Sequence, residues 1–515
     1  MRWTWLLSNS GVVTIVVAVA GLGVVMLLWM LNVAGHAPDS GAANKSMLRI
    51  EAIKYGLGSI AAGGAVAALL LAIRRQVLSE RAQRHAERSQ RFSETDALEQ
   101  RATALYVAAA NQLGSDKAAV RLAGLYALER LGQDEPKLRQ TVVDVWCSYL
   151  RMPYTPPAEV LLRNGRRSPD RPAADTDPPD AALESERRQE LQVRLTAQRL
   201  LAAHMSRDLA EAGEATYWLD HRGNRMVVDL VGAVLVDFTL NSCDVGRCNL
   251  SDAQLHGMAD FEGVRFHTVA YLTRTQFHGE AVLSEAQFHG NATLYEAQFH
   301  SRARLFGAHF HGDANLFGAH FHDASTLHGV QFHGDANLAE AQFHGVALLF
   351  GVHFHSAATL RAVQFHSDVV LRDAHFHGDA NLFRAQFHGD ALLYDAQFYG
   401  DAHLVGARFH GTANLVGVQF HGTADLSGAQ FHGTADLSQA QFRGAADLSG
   451  AQFHSSLNLG SVMAVSSVVV PTGWKLSSAS VQQDGLLAVI EADKIAAEHA
   501  GSDESIGRSG ELLIE

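Results

Sequence analysis

The 515-residue chain contains only three cysteines, and they form neither a disulfide framework nor a metal-binding array. Such sparse cysteine usage is typical of the reducing cytosol. Cys243 and Cys248 are close in sequence, and we interpret them as small core residues rather than as a redox pair. Motifs of common enzymes are lacking too, namely a glycine-rich nucleotide loop, Gly-x-Ser-x-Gly and His-Glu-x-x-His. We therefore expect a protein that is not an enzyme and has no catalytic residue and no cofactor.

Basic residues are scarce in the C-terminal half of the chain. Residues 249–460 contain 19 acidic and 9 basic side chains, and the whole chain has a formal net charge of −13. Affinity for nucleic acids comes largely from Lys and Arg that neutralise phosphates. Direct binding of this half to DNA or RNA is therefore not expected.

Charge is absent from two stretches near the N-terminus, residues 11–33 and 55–73. About 20 apolar residues are enough for a membrane-spanning helix. Six arginines lie between positions 74 and 91, directly after the second stretch, and the positive-inside rule places such a flank in the cytoplasm. The sequence predicts a multi-pass cell-membrane protein with a transmembrane hairpin over residues 1–78 and a cytoplasmic C-terminal half. A cleaved signal peptide ending near residues 34–37 is the alternative for the first stretch.

Composition divides the remainder of the chain into five segments. Leucines and aromatic residues at helical spacing predict a cytoplasmic helical module before residue 152, and a segment rich in Pro, Asp and Arg predicts a disordered linker after it. The predicted segments are a helical module at 79–152, a disordered linker at 153–187, a connecting helix and N-terminal cap at 188–227, a repeat domain at 228–460, and a C-terminal cap and tail at 461–515. Within this last segment, residues 471–474 are expected to cover the end of the repeats and residues 484–500 to form a short helix.

A strict repeat dominates the C-terminal half. Eighteen phenylalanines recur at every eleventh position from Phe266 to Phe453, and a leucine occupies the sixth position after each of them, from Leu272 to Leu459. The consensus is Phe-His-Gly-x-Ala-x-Leu-x-x-Ala-Gln. Before Phe261 the apolar positions are spaced by five instead. A register kept this strictly indicates a solenoid in which each unit stacks on the next.

The pentapeptide motifs nested in this consensus resemble those of the pentapeptide-repeat family, in which a small and a polar residue precede Leu or Phe. Asp229-Leu230, Asn249-Leu250 and Ala424-Asp425-Leu426 carry the resemblance. It implies an all-β, right-handed quadrilateral β-helix, preceded here by two transmembrane α-helices and a small α-helical module. This layout also resembles that of membrane-anchored family members in actinobacteria.

The inserted eleventh position departs from the family pattern, so each coil is expected to hold about 22 residues instead of about 20 residues. The implied structural core includes Phe266, Phe277, Phe332, Phe343, Phe431, Leu272, Leu338 and Leu437. The fourth position after each Phe is Ala in all repeats but three, which predicts a narrow site near the axis where larger side chains would overpack. Glycine after most Phe-His pairs predicts corners that need an unusual φ.

Histidine is the unusual surface residue, because 23 of the 28 histidines lie between 249 and 460 and sixteen directly follow a periodic Phe. With two such repeats per coil, they are expected to form two outward ladders on opposite faces. The simplest interpretation is a tolerated, flat polar residue that stacks along the face. The alternatives are pH sensing and metal binding, for which His353, His355, His375 and His377 are predicted to form a two-by-two grid.

These observations favour a membrane-anchored, non-catalytic scaffold that presents a rigid β-helix to an unknown cytosolic protein. The family also includes acidic rods that mimic DNA, so binding to a DNA-handling enzyme such as DNA gyrase is an alternative. A metal-binding or pH-sensing rod is the other alternative. The exposed end of a β-helix would also permit a homodimer.

Overall fold

The computed structural model describes residues 9–36, 42–164, 181–472, 475–482, 485–491 and 510–512. It divides into two compact units, Met1–Thr103 and Ala104–Glu515. Seven helices occur in the described residues besides a 3₁₀ turn at Pro136–Leu138: α1 (Asn9–Gly35), α2 (Ala42–Leu113), α3 (Ala118–Asp134), α4 (Arg139–Leu150), α5 (Ala158–Asn164), α6 (Ala181–Ala203) and α7 (Arg207–Glu211).

The first two helices contain segments long and apolar enough to cross a membrane, Val13–Val33 in α1 and Arg49–Glu80 in α2. Their close approach depends on glycines of α2. A Cβ on Gly63 would lie 2.5 Å from Val19, and one on Gly56 would lie 2.2 Å from Leu27. Small residues at such contacts let two helices pack backbone against backbone.

The range 153–187, for which composition predicts a disordered linker, contains α5 and the beginning of α6. Its two ends are held by side chains. The Arg194 guanidinium lies 4.4 Å from the centre of the Tyr154 ring, and the Glu184 carboxylate accepts a 3.2 Å hydrogen bond from the Ala158 amide. Residues 165–180, in the middle of this range, lie outside the described residues.

The repeats build a four-sided parallel β-solenoid of about eleven coils. We number its faces in the order in which the chain follows one coil. The periodic Phe side chains belong to faces 1 and 3, which are opposite each other, and the periodic Leu side chains follow the strands of faces 2 and 4.

Most strands are two residues long, and each face is a parallel ladder of them. Face 1 consists of Asp244–Val245, Arg265–Phe266, Gln287–Phe288, His309–Phe310, Gln331–Phe332, His353–Phe354, His375–Phe376, Gln397–Phe398, Gln419–Phe420, Gln441–Phe442 and Met463–Ala464. Face 2 consists of Val228–Asp229, Cys248–Asn249, Ala270–Tyr271, Ala292–Thr293, Ala314–Asn315, Ala336–Asn337, Ala358–Thr359, Ala380–Asn381, Ala402–His403, Ala424–Asp425, Ala446–Asp447 and Val468–Val470.

The two remaining faces have the same construction. Face 3 consists of Val234–Val236, Gln254–His256, Gln276–Phe277, Gln298–Phe299, His320–Phe321, Gln342–Phe343, Gln364–Phe365, Gln386–Phe387, Arg408–Phe409, Gln430–Phe431 and Gln452–Phe453. Face 4 consists of Ala259–Asp260, Ala281–Val282, Ala303–Arg304, Ser325–Thr326, Ala347–Leu348, Val369–Val370, Ala391–Leu392, Ala413–Asn414, Ala435–Asp436 and Leu457–Asn458.

Strand pairing establishes the coil length. Val228 pairs with Cys248 in the first coil, whereas Cys248 pairs with Ala270 in the next and Phe354 pairs with Phe376 further along. The first pair is separated by the coil length of pure pentapeptides. The paired residues of the two later examples are each two positions further apart along the chain. The predicted change from pentapeptide spacing to a widened coil is therefore what the chain forms.

The core is a set of side-chain columns along the solenoid. The Phe rings of faces 1 and 3 stack with ring centres 4.5–5.3 Å apart. Every periodic Phe from Phe266 to Phe442 and every periodic Leu from Leu272 to Leu448 is at most 2% exposed, which includes the eight residues named above for the core. The Ala slots are buried to a similar degree, so the Phe, Ala and Leu columns together form the interior of the solenoid.

Two kinds of corner hold the coils together, and they need different residues. Glycines at the second position after a periodic Phe lie directly against the coil before them. A Cβ on Gly400, which follows Phe398 and Tyr399, would lie 2.5 Å from the carbonyl carbon of Gly378. Their φ is not in the left-handed region, so the predicted reason for these glycines is wrong: the constraint is a close approach of backbones. The left-handed φ occurs at the second position after Leu, as at Ala362 (53°) and Glu340 (59°).

Aspartates that directly follow these corner glycines make hydrogen bonds from coil to coil. Asp379 accepts one from the amide of Asp401 at 3.0 Å, and Asp401 accepts one from the amide of Thr423 at 2.7 Å. These carboxylates therefore take part in the corners of the fold.

The N-terminal end of the solenoid is covered by α3, α4 and α6. Two glutamine side chains hydrogen-bond to the backbone of the first coil as a neighbouring strand would. Gln140 of α4 bonds both the amide and the carbonyl of Val227 at 2.9 Å, and Gln198 of α6 bonds those of Val236 at 3.3 and 2.8 Å. Helices and coils share one continuous buried core.

The C-terminal end pairs with strands of the tail. Gly485–Glu491 pairs antiparallel with the last strand of face 1 and with Lys475–Gln482, and Gly510–Leu512 pairs with the last strand of face 2. The expected short helix over 484–500 is wrong for residues 485–491, which are a strand. Part of the expected cap at 471–474, residues 473–474, lies outside the described residues.

Ser325 occupies one of the Ala slots, and its Oγ is buried without a hydrogen-bond partner among the described residues. Replacing it with Ala removes an unsatisfied hydroxyl from a site built for a methyl group, so Ser325→Ala should raise the free energy of unfolding by about 1–2 kcal/mol. The control is Ser356→Ala, because the Ser356 hydroxyl donates to Asp335 at an exposed corner. Urea unfolding of the full chain in detergent, followed by circular dichroism, measures both. A loss of stability in Ser325→Ala would contradict the packing described.

The two corners predict opposite effects of a methyl group. Gly400→Ala should destabilise the protein by about 1–3 kcal/mol, because its Cβ meets the backbone of the preceding coil. Ala362→Gly relieves a left-handed φ and should leave stability unchanged or raise it by up to about 1 kcal/mol. Urea midpoints of the two variants and the parent distinguish these effects, and equal destabilisation would show that both corners have the same constraint.

Candidate functional site

Histidine and glutamine dominate the outer surface of faces 1 and 3. In each strand the residue before Phe is usually Gln, the residue after it is usually His, and both point outward because Phe points inward. These faces therefore present columns of neutral, flat side chains.

The imidazoles form the two predicted ladders. On face 3 ten histidines from His256 to His454 stack without interruption, with ring centres 4.5–5.2 Å apart. On face 1 the ladder runs from His267 to His377 with spacings of 4.7–5.2 Å, and Tyr399 then stacks on His377 at 4.8 Å. The ladder spacing is that of the coils beneath it.

Burial lowers the pKa of several ladder histidines. On face 3, burial first and then the neighbouring imidazoles lower the pKa of His278, His300, His322, His344 and His366. A proton on one ring disfavours a proton on the next, because the rings are one coil apart. At neutral pH these imidazoles are uncharged.

The four histidines of the predicted grid lie together on face 1. His353 pairs in register with His375, and the ring centres are 4.5 Å apart in this pair and 5.1 Å apart between His355 and His377. Ligand atoms of His353, His375 and His377 all lie within 4.8 Å of one another. The fourth ring points elsewhere, because Nε2 of His355 lies 3.0 Å from Oε1 of Gln331.

A second surface, on face 4, is one that the sequence analysis missed. The residues that directly follow the periodic Leu of face 4 form a column along six successive coils. They are Phe306, His328, Phe350, Arg372, Tyr394 and Val416. The rings of Phe306 and His328 are 5.1 Å apart and those of His328 and Phe350 are 3.7 Å apart. Reading the sequence at intervals of a whole coil rather than of one repeat would have revealed this column.

Arginine continues the column where aromatic stacking ends. The Arg372 guanidinium lies 5.3 Å from the centre of the Phe350 ring and 6.0 Å from that of Tyr394, and it donates to the Tyr394 hydroxyl at 3.3 Å. Leu348, Val370 and Leu392 form a parallel aliphatic column beside it. We call these two columns the apolar stripe.

The helical module contains a cleft of about 720 Å³ lined by residues of α2, α3, α4 and α6. Three of its charged side chains, Arg121, Glu190 and Arg194, form ion pairs. Glu190 accepts from Arg121 at 3.0 Å, from Arg194 at 2.8 Å and from the Tyr149 hydroxyl at 2.8 Å. Burial, followed by the Glu190 charge, raises the pKa of Tyr149. These contacts join the helices.

All three cysteines are buried. Burial raises the pKa of Cys147 and of Cys243 to about 12, and that of Cys248 in the same direction. Protonated, enclosed thiols are poor nucleophiles and poor metal ligands.

Comparison with known protein families identifies the type of repeat. The family model described as pentapeptide repeats (9 copies) matches residues 261–309, 339–386 and 415–462. The solenoid is a pentapeptide-repeat domain. No curated protein sequence and no solved structure shows significant similarity to the chain.

Strands inside the matched stretches pair in the widened register, as Arg265 does with Gln287 and Gln342 with Gln364, so the pentapeptide-repeat domain tolerates one added residue in every second motif. This residue lies between Phe and Leu, at the corner where Gly or another small residue contacts the preceding coil. Widening affects the corners, and the inward Phe, Ala and Leu positions stay in columns.

The face 3 ladder makes the stability of the pentapeptide-repeat domain depend on pH. Seven of its histidines have pKa values in the folded chain below the unfolded value of about 6.5, namely His256, His278, His300, His322, His344, His366 and His410. The unfolded chain therefore binds more protons as the pH falls below about 6.5. The stabilisation is present above that pH and is lost as the pH falls through the folded pKa values. We expect the melting temperature of the full chain in detergent to fall from pH 7 to pH 5.

A variant in which Gln replaces five ladder histidines should show a smaller fall in melting temperature than the parent over the same pH interval. The five are His278, His300, His322, His344 and His366. Gln keeps a polar, neutral side chain in the column and does not titrate. An identical pH dependence in this variant and the parent would show that other groups cause the effect.

Proposed function

We propose that the protein is a membrane-anchored, non-catalytic scaffold whose pentapeptide-repeat domain holds a cytosolic protein through the apolar stripe. The observation that carries this proposal is the column from Phe306 to Val416, which is at least partly exposed over six successive coils and in which Arg372 bridges the Phe350 and Tyr394 rings. Within this column, the side chain of Phe306 is 44% exposed. Exposed apolar surfaces of this extent mark interaction sites in soluble domains.

The composition of the apolar stripe supports a protein partner. Aromatic residues and Arg are enriched at the centres of protein interfaces, where they lose contact with water. Phe350, Arg372 and Tyr394 are already fixed by stacking on one another, so little side-chain entropy would be lost on binding. Six coils span about 24 Å at the usual strand spacing.

Face 2 is the natural comparison. Its equivalent column contains Tyr295, Phe317 and Phe383, but Ala339 and Arg361 interrupt it between the second and third of these rings. No aliphatic column accompanies it, because Thr and Asn occupy the outward strand positions from Thr293 to Asn381. The same number of Phe and Tyr rings, three in each column, is therefore present on a more polar surface.

The membrane anchor rests on the two apolar helical segments and on the arginines that follow the second of them. Arginines 74, 75, 81, 84, 88 and 91 favour a cytoplasmic location for this flank and for the domain after it. In this arrangement the scaffold acts at the inner surface of the cell membrane, where its partner is concentrated near the bilayer.

Crosslinking in native membranes tests the scaffold. A full-length variant with Phe306→Ser, Phe350→Asn and Tyr394→Asn should lose the partners that the parent chain captures. The control carries Tyr295→Asn, Phe317→Ser and Phe383→Asn on face 2 and should retain them. Surface variants are preferable to truncation near residue 228, which would expose buried Trp146 and Trp218 of the shared core.

Two results would contradict the proposal. One is retention of every crosslinked partner in the face 4 variant, which would remove the apolar stripe from binding. The other is capture of only a second copy of this chain through face 4, because the stripe would then be a homodimer interface.

A further inference from the structure

On face 1, the outward residues that directly precede the periodic Phe residues form a column in which two successive coils carry His instead of the usual Gln. From the N-terminus it reads Arg265, Gln287, His309, Gln331, His353, His375, Gln397, Gln419 and Gln441. His353 and His375 are adjacent, whereas His309 has a glutamine on each side. The His ladder lies beside this column, so His355 and His377 complete a group of four imidazoles on two successive strands.

Three of the four imidazoles converge. Ring centres of His353 and His375 are 4.5 Å apart, and they lie 6.1 and 6.0 Å from the ring centre of His377. Their nitrogen atoms all lie within 4.8 Å of one another, and they form the one group of three or more His, Cys, Asp or Glu ligands with metal-like spacing in the described residues. His355 is engaged by Gln331 at 3.0 Å.

The backbone beneath this group is held on both sides of each strand. The amides of His353, His375 and His377 donate to carbonyls of the preceding coil at 2.8–2.9 Å. Tyr399 stacks on His377 at 4.8 Å on the C-terminal side, and its hydroxyl donates to Gln397 at 2.5 Å. The backbone of these three histidines is therefore fixed, and only their side-chain torsions can change. Ligands on rigid elements of this kind hold a metal site in a defined geometry.

We propose that His353, His375 and His377 bind a divalent late transition metal ion, of the Zn²⁺ class, through three imidazole nitrogens. Imidazole suits Zn²⁺, Cu²⁺ and Ni²⁺, and three protein ligands with one open position are typical of accessible zinc sites. The fourth position faces solvent, because His377 is exposed and His353 and His375 are partly exposed.

Binding needs a modest closure of the three rings. Nitrogens around a tetrahedral Zn²⁺ are about 3.3 Å apart for Zn–N distances near about 2.0 Å, compared with separations of up to 4.8 Å here. Rotation about the side-chain torsions of three partly exposed rings can close this difference without moving the backbone. The site is independent of the apolar stripe, which lies on a different face.

The test is titration of the untagged full chain in detergent at pH 7.5 with Zn²⁺, in competition with a chromophoric chelator. The parent should bind one equivalent more tightly than the remaining ladder histidines do. His353→Gln with His375→Gln should abolish this equivalent. The matched control, His309→Gln with His320→Gln, removes two histidines of the same kind that lack an adjacent partner in their columns and should keep it.

Single variants in one ladder distinguish ligands from neighbours. His377→Gln should weaken the tight equivalent at least tenfold, whereas His355→Gln should leave it nearly unchanged. Co²⁺ absorption provides a second readout, because an intense visible band requires a four-coordinate site that the double variant cannot form. Equal weakening by His355→Gln and His377→Gln, or equal isotherms for the two double variants, would overturn the assignment and indicate only dispersed ladder binding.

Discussion

The widened coil register is the constraint on which the rest of this structure depends. Strands of two residues have few hydrogen bonds and would not persist alone. Each is stabilised because the same position recurs directly above and below it, so that Phe stacks on Phe and Ala on Ala. A side chain that fits one coil must therefore fit its neighbours. This explains why the inward positions hardly vary and why the departures, such as Ser325 and Val369, are few.

A solenoid built this way has two open ends, and the helical module closes the first of them. Gln140 and Gln198 use their side-chain amides where a preceding coil would have used its backbone. Trp218 adds a flat ring that stacks on His204 at 3.9 Å and packs against Gly132, where a Cβ would lie 2.4 Å away. The module is thus part of the folding unit of the repeats, with which it shares one buried core.

Periodicity was enough to predict the coil, the Phe and Leu columns and the His ladders, because these depend only on which residues recur. It was not enough for the cap, since Gln140 meets the backbone of Val227, far along the chain, and nothing local in its sequence indicates this contact. It also misjudged the corner glycines. Composition reveals that a position needs Gly, but only the distance to the next coil distinguishes a steric need from a conformational one.

The predicted grid of four histidines shows the same limit at a smaller scale. The coil interval correctly brings His353 and His375 together, but it cannot tell which way each ring turns. His355 turns to Gln331 because that glutamine stands one coil earlier in the adjacent column. Reading one column of the sequence therefore predicts which residues are neighbours on successive coils. Predicting which side chains make contact requires two adjacent columns to be read together.

Regular stacking and function make different demands on such a surface, and this difference helps to locate function. The face 3 ladder is uniform from His256 to His454, so packing between equal rings accounts for it fully. Gln before Phe is also the common choice, and stacking gives no reason to replace it twice in succession with His. The same holds for the aromatic column of face 4, since Ser and Gly serve equally well after Leu in other coils. Where the outward residues depart from the repeat in neighbouring coils, the fold does not require the departure, and the proposed metal ion and the proposed partner would each give it a physical cause.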